Sequence, residues 1–147
     1  MSVGYQEKLE LLEKICRQKS LRLTQQKRMV LKELVRRSDH PTADQLYLDL
    51  RKSLPDISRA TVYRILEFFV QEKVIQRICH PKAVAHYDAD TSPHHHLICR
   101  RCQRIMDLEL GEESELACIP TKFPELSHFK IETCSIYFFG VCGDCSS

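Results

Sequence analysis

The stretch SRATVYRILEFFVQEKVIQRIC, residues 58–79, changes period part-way through. Val62, Ile65, Leu66, Phe69 and Val70 recur at the three- and four-residue spacing that lines one face of a helix. Ser58 stands just before that run, where its hydroxyl can accept an N–H of the first helical turn. From Lys73 the pattern becomes KVIQRIC, which reads as a strand, and AVAHYDA at 83–89 reads as its hairpin partner across HPK. A helix that runs straight into a two-stranded hairpin is the outline of a winged helix-turn-helix. The early positions of that helix, Ser58, Arg59, Thr61, Tyr63 and Arg64, are polar and suit DNA contacts. Arg can take a guanine edge or a phosphate, while Thr and Tyr can hold the backbone.

Upstream, the chain reads as three more helices. YQEKLELLEKICRQK, residues 5–19, places Leu9, Leu12, Ile15 and Cys16 on one face. Thr24 suits the N-cap of 25–37, whose apolar face is Met29, Val30, Leu31, Leu34 and Val35. His40-Pro41 breaks the chain, since a residue before proline disfavours helix. Thr42 then caps 43–54, with Leu46, Leu50 and Leu54 inward, and Pro55-Asp56 ends it. A helical bundle without a partner is the plainer alternative.

At 147 residues the chain suits one medium domain or two small ones. The net charge of +2 is unevenly shared: residues 1–80 hold 16 Lys/Arg against 10 Asp/Glu, and residues 81–147 hold 6 against 10. A basic first half with an acidic, His/Cys-rich second half points to nucleic acid on one side and cations on the other. No apolar run approaches the roughly 18 residues of a membrane span, and the amphipathic N-terminus does not resemble a signal peptide. A cytoplasmic location is expected. In a reducing compartment, eight cysteines suggest metal binding more than disulfides.

Beyond residue 90 the pattern turns β-rich, with HHLIC at 95–99, RIMDLEL at 104–110 and a long candidate strand FKIETCSIYFFGVC at 129–142. EESELAC, 112–118, is a short candidate helix. The expected class is α+β: a winged-helix domain over 1–89, a hinge at 90–93 within ADTSP, and a small α/β domain over 94–147. Cys99-x-x-Cys102 and Cys142-x-x-Cys145 supply two knuckles, and together a tetrahedral four-sulfur shell suited to structural zinc. Cys16, Cys79 and Cys118 sit among apolar residues and read as small core side chains. His94 and His96, two apart, share one face of a strand, and His95 takes the other. With Asp88 and Asp107 they form a mixed imidazole–carboxylate set suited to Fe(II), Mn(II), Co(II) or Zn(II).

HPTADQLY, SRATVYRILEFF, HHHLICRRC and SIYFFGVCGDC resemble, in order and spacing, the Fur family of metal-responsive bacterial repressors. The resemblance implies a homodimer of winged-helix and dimerisation domains on a palindromic double-stranded DNA operator. It implies structural zinc on Cys99, Cys102, Cys142 and Cys145. It also implies a regulatory Fe(II) or Mn(II) site on His40, Asp88, His94, His96 and Asp107, adding His40 to the cluster. Asp at both 88 and 107 resembles the peroxide-sensing PerR branch; iron-sensing members typically carry Glu at the position of Asp107, and zinc sensors a cysteine at that of Asp88. In PerR, bound iron reduces peroxide and a ligand histidine is modified, here matching His40 and His94. Arg64 in TVYRIL instead resembles many plain iron repressors.

A further site found in many members uses a histidine eight residues before the third zinc cysteine, where this chain has Cys134. Ser92 and Pro93 are poor ligands there as well. His95, Glu112, Glu115 and His128 are left as candidates for a variant site. A metalloenzyme is the alternative of another class, since a His/Asp site with an open position can activate water. The sequence has no H-E-x-x-H and no separate general base, so no catalytic residue is expected.

Overall fold

The computed structural model describes residues 4–79, 84–111, 123–132 and 134–147. The chain divides into two compact units, Met1–Thr91 and Ser92–Ser147.

The first unit contains α1 (Tyr5–Gln18), α2 (Gln25–Arg36), α3 (Ala43–Leu50), α4 (Arg59–Gln71), β1 (Gln76–Cys79) and β2 (Ala85–Asp88). Each of the three capping hydroxyls does what its position implies. Thr24 accepts from Lys27 N at 3.2 Å and Ser58 from Thr61 N at 3.1 Å. Thr42 forms a reciprocal capping box with Gln45. The core is built from the helical stripes, with Leu12, Val30, Leu31, Leu34, Leu46, Val62, Leu66 and Phe69 fully buried. β1 and β2 pair antiparallel, with Ile78 opposite His86 and Gln76 opposite Asp88. This is the winged-helix outline; the hairpin's turn, 80–83, lies outside the described residues.

Three expectations for this unit are corrected. α3 stops at Leu50, not Leu54. The N–H groups of Ser53 and Leu54 both bond to Leu50 O, which tightens the chain into a turn ahead of Pro55. β1 begins at Gln76, because Lys73 adopts a left-handed φ of 58° and closes a Schellman cap in which Val74 N bonds to Phe69 O at 2.9 Å. Val74 and Ile75 are therefore buried at the end of α4 and do not join the ladder. Cys79 is exposed and is not a core residue. In a strand that turns Ile78 inward, its neighbour must face out.

The second unit is a three-stranded sheet in the order β4-β3-β5: β3 (His95–Cys99) in the centre, β4 (Ile105–Leu108) antiparallel to it and β5 (Tyr137–Gly140) parallel. A 3-10 turn, Pro124–His128, and a short helix, Gly143–Ser146, complete its described part. The expected long strand at 129–142 shrinks to four residues. Its partner β3 is itself only five residues long, and the ladder lasts from His96↔Tyr137 to Cys99↔Gly140. The segment 112–118 and Cys118 lie outside the described residues. Among the described residues no helix is long and apolar enough to cross a membrane.

Candidate metal centres and DNA-facing helix

Cys99 is the last residue of β3, and the chain turns sharply after it. Gln103 takes a left-handed φ of 64°, Gln103 N bonds to Cys99 O at 2.9 Å, and Cys99 N bonds to Arg104 O at 3.0 Å. That knuckle brings Cys102 back beside Cys99. The second knuckle follows β5, where Cys145 N bonds to Cys142 O at 3.0 Å. Parallel pairing of β3 with β5 sets the two knuckles side by side, and one sulfur from each cysteine lies within 4.8 Å of the other three. The Cys99 thiol is drawn down to about 6, chiefly by the Cys142 backbone N–H and then by that of Cys102. Cys145 is pushed up to about 12, foremost by its hydrogen bond with the Cys142 thiol. One sulfur is thus poised as thiolate while another holds its proton. A cation that takes up all four must displace protons, and four thiolate donors suit a tetrahedral, thiophilic ion.

The second unit also gathers His94, His96 and Asp107. His96 and Asp107 are directly opposed across β3 and β4 and so share a face of the sheet. His96 Nε2 lies 3.6 Å from Asp107 Oδ1, and His94 Nε2 lies 3.4 Å from the same oxygen. The His94 Nδ1–H donates to Ser92 O at 2.8 Å, which turns Nε2 toward Asp107. On its other side His96 stacks on Tyr137, ring centroids 5.6 Å apart. His95 points away and accepts from Ile136 N at 3.0 Å. Burial holds the His95 imidazole below its usual range, and His94 and His96 add to the effect. Both imidazoles beside Asp107 are buried.

The first unit carries a smaller set. His40 Nε2 lies 3.6 Å from Asp88 Oδ2, and both residues are buried. Asp88 ends β2, where its Oδ1 accepts from Asp90 N at 2.8 Å and its Oδ2 from Gln76 Nε2 at 3.3 Å. His40 precedes α3 with a left-handed φ of 52°. Imidazole with carboxylate is the donor chemistry of borderline divalent ions. Of the candidates for a variant further site, His95 accepts from Ile136 N, His128 ends the 3-10 turn, and Glu112 and Glu115 lie outside the described residues.

On α4, Tyr63 and Arg64 are exposed, while Ser58 and Thr61 bond to each other at the N-cap. Arg64 reaches back to Thr61 Oγ1 at 3.3 Å. Arg59 is paired with Asp44 and lies over the Tyr47 ring, 4.7 Å from its centroid, an engagement that the sequence did not reveal.

The profile of the Ferric uptake regulator family matches residues 18–139. The chain belongs to that family. It is accordingly a metal-sensing, DNA-binding repressor and not an enzyme. Two curated family members illustrate the likeness. The Peroxide operon regulator of Bacillus subtilis is 36% identical over 129 residues, covering 86% of this chain and 85% of that protein. The Peroxide-responsive repressor PerR of Staphylococcus aureus is 33% identical over 132 residues, covering 88% and 85%. Among solved structures, the Helicobacter pylori ferric uptake regulator Fur shares the fold with a TM-score of 0.84 at 22% identity, covering 99% of this chain and 96% of that one.

Proposed function

We propose that this repressor binds a palindromic DNA operator as a homodimer in the cytoplasm, is activated by Fe(II) or Mn(II), and is released by peroxide when iron is bound. The observation that carries the reading is Asp107 beside both His94 and His96, with Asp rather than Glu at position 107 and Asp rather than Cys at position 88. Likeness to two peroxide-responsive regulators supports it.

In this reading zinc fills the four-cysteine set and has a structural role. His40 and Asp88 from one domain, 1–89, join His94, His96 and Asp107 from the other, 94–147, on the regulatory ion, with 90–93 as the hinge. The division of the compact units at Thr91/Ser92 supports that placement. An ion held by both domains favours whichever arrangement unites its ligands, and so shifts the population toward it. In a dimer that arrangement sets the spacing of two α4 helices on the two operator half-sites. Tyr63 and Arg64 contact DNA there, with Ser58, Arg59 and Thr61 alongside. Bound Fe(II) supplies electrons for peroxide reduction, and His40 and His94 are the residues exposed to oxidation.

The test is mass spectrometry of iron-loaded protein after substoichiometric peroxide, with operator binding followed in parallel. One oxygen atom added at His40 or His94, with loss of binding, is expected. An unmodified protein that stays on its operator would favour the second reading, a plain iron repressor, to which Arg64 in TVYRIL points. The same experiment with Mn(II) serves as the control, since manganese in that site is nearly inert to peroxide.

A further inference from the structure

We propose that His86 is a positioning residue for the regulatory ion: its imidazole clamps the strained backbone of His40 and so aims the His40 ring beside Asp88. The inference rests on the reading of His40 and Asp88 as ligands. His86 stands two residues before Asp88 on β2 and is absent from the ligand set that the family resemblance supplies.

Two kinds of contact join the loop before α3 to β2. The His86 Nδ1–H donates to His40 O at 2.6 Å, and Thr42 forms an isolated antiparallel bridge with His86, to which the bond from Tyr87 N to Pro41 O at 3.0 Å belongs. Residues 40–42 therefore behave as a short extra strand on the edge of β2. This matters because His40 combines two unfavourable conditions. Its φ of 52° lies in the left-handed region, and the next residue is proline. For a residue other than glycine such a backbone is unfavourable and persists only where its surroundings enforce it. The enforcing contact on the His40 carbonyl itself is the His86 ring.

The geometry gives the clamp a direction. Asp88 and His86 belong to the same strand and face, two residues apart. The strand that carries one ligand thus also grips the backbone of the other, and the 3.6 Å approach of His40 Nε2 to Asp88 is set from a single element. The bond also fixes the tautomer of His86, since a carbonyl can only accept and Nδ1 must carry the proton. Groups that orient a metal ligand without touching the ion typically contribute about 10- to 100-fold in affinity.

The test uses full-length, zinc-loaded protein and Mn(II) as the probe. Binding is measured by calorimetric titration, with zinc content and the thermal midpoint of metal-free protein as controls. His86→Phe keeps ring-sized bulk and removes the donor; His86→Ala serves if the phenyl ring is not accommodated. His86→Asn returns an N–H close to the position of Nδ1. The expected result is a loss of about tenfold or more in Mn(II) affinity for His86→Phe, substantial recovery in His86→Asn, and unchanged zinc content. Combined with His40→Ala, His86→Phe should cause no further loss, because the clamp then holds nothing that binds the ion. Wild-type affinity in His86→Phe, or an equal loss in the His40→Ala background, overturns the inference while leaving the ligand assignment standing. Unchanged affinity in His40→Ala alone overturns the assignment, and this inference with it.

Discussion

Arg59 at the start of α4 is paired with Asp44 at the start of α3, and its guanidinium also covers the Tyr47 ring. One of the two arginines that the sequence offers to DNA is therefore already matched within the protein. Both side chains are more than half exposed, so the pair adds little to stability. Its consequence is for binding. Asp44→Asn should release one positive charge toward DNA, strengthen non-specific binding, and steepen the logarithmic salt dependence by about one unit. Fluorescence anisotropy on operator and random duplexes across a salt series measures this. An unchanged slope would show that Arg59 stays clear of the phosphates.

Among the described residues Arg64 has no such acidic partner; its side chain donates to the neutral Thr61 hydroxyl. Arg64→Ala should weaken operator binding by about 1–3 kcal/mol and random-sequence binding by less. The same anisotropy series decides between base reading and a phosphate contact, because equal weakening on both duplexes points to phosphate alone.

The zinc-free four-cysteine set should titrate unevenly. With the Cys99 thiol at about 6 and Cys145 at about 12, ultraviolet thiolate absorbance should show one sulfur ionised at neutral pH and one still protonated well into the alkaline range. For Cys99 the folded value lies below the ordinary thiol value of 9.0. Its contribution to metal-free stability is thus present above about 9 and is lost as pH falls toward about 6. Cys99→Ser should remove the low-pH absorbance step and abolish stoichiometric zinc binding; a zinc-replete, fully folded variant would contradict the structural role.

Lys8 is a buried cation within the first unit, its Nζ donating to Val74 O at 2.8 Å and Thr91 Oγ1 at 2.9 Å. Burial lowers its pKa from 10.5, opposed first by the Asp90 charge and then by those of Glu7 and Asp88. The unfolded chain therefore holds this proton to higher pH than the folded one. Stability should rise with pH between the lowered value and 10.5, because the unfolded state binds more protons in that window. Urea denaturation of the wild type and Lys8→Met at neutral and alkaline pH isolates the effect as a difference. The wild type should gain on the variant as pH rises, and parallel curves would exclude it.

The helices could be read from the chain because their signals are local. Val62, Ile65, Leu66 and Phe69 mark a buried face by spacing alone, and Thr24, Thr42 and Ser58 mark helix starts through bonds spanning three residues. The parity of β3 is equally local: His96 faces Asp107 while His95 turns to Ile136. The two Cys-x-x-Cys knuckles were legible for the same reason. Element ends were less so, since α3 closed a turn early at Leu50 and β5 was limited by the length of its partner.

Helix faces, caps, knuckles and ligand pairs are written in the chain itself, because each depends on neighbours a few positions away. That Cys79 faces solvent, that Asp44 holds Arg59 and that His86 grips the carbonyl of His40 emerge only once the elements are packed together. Those outcomes depend on side chains 15 and 46 positions apart, or on which face of a strand the core covers. Local periodicity carries no record of such partners; they are settled when packing brings the elements together.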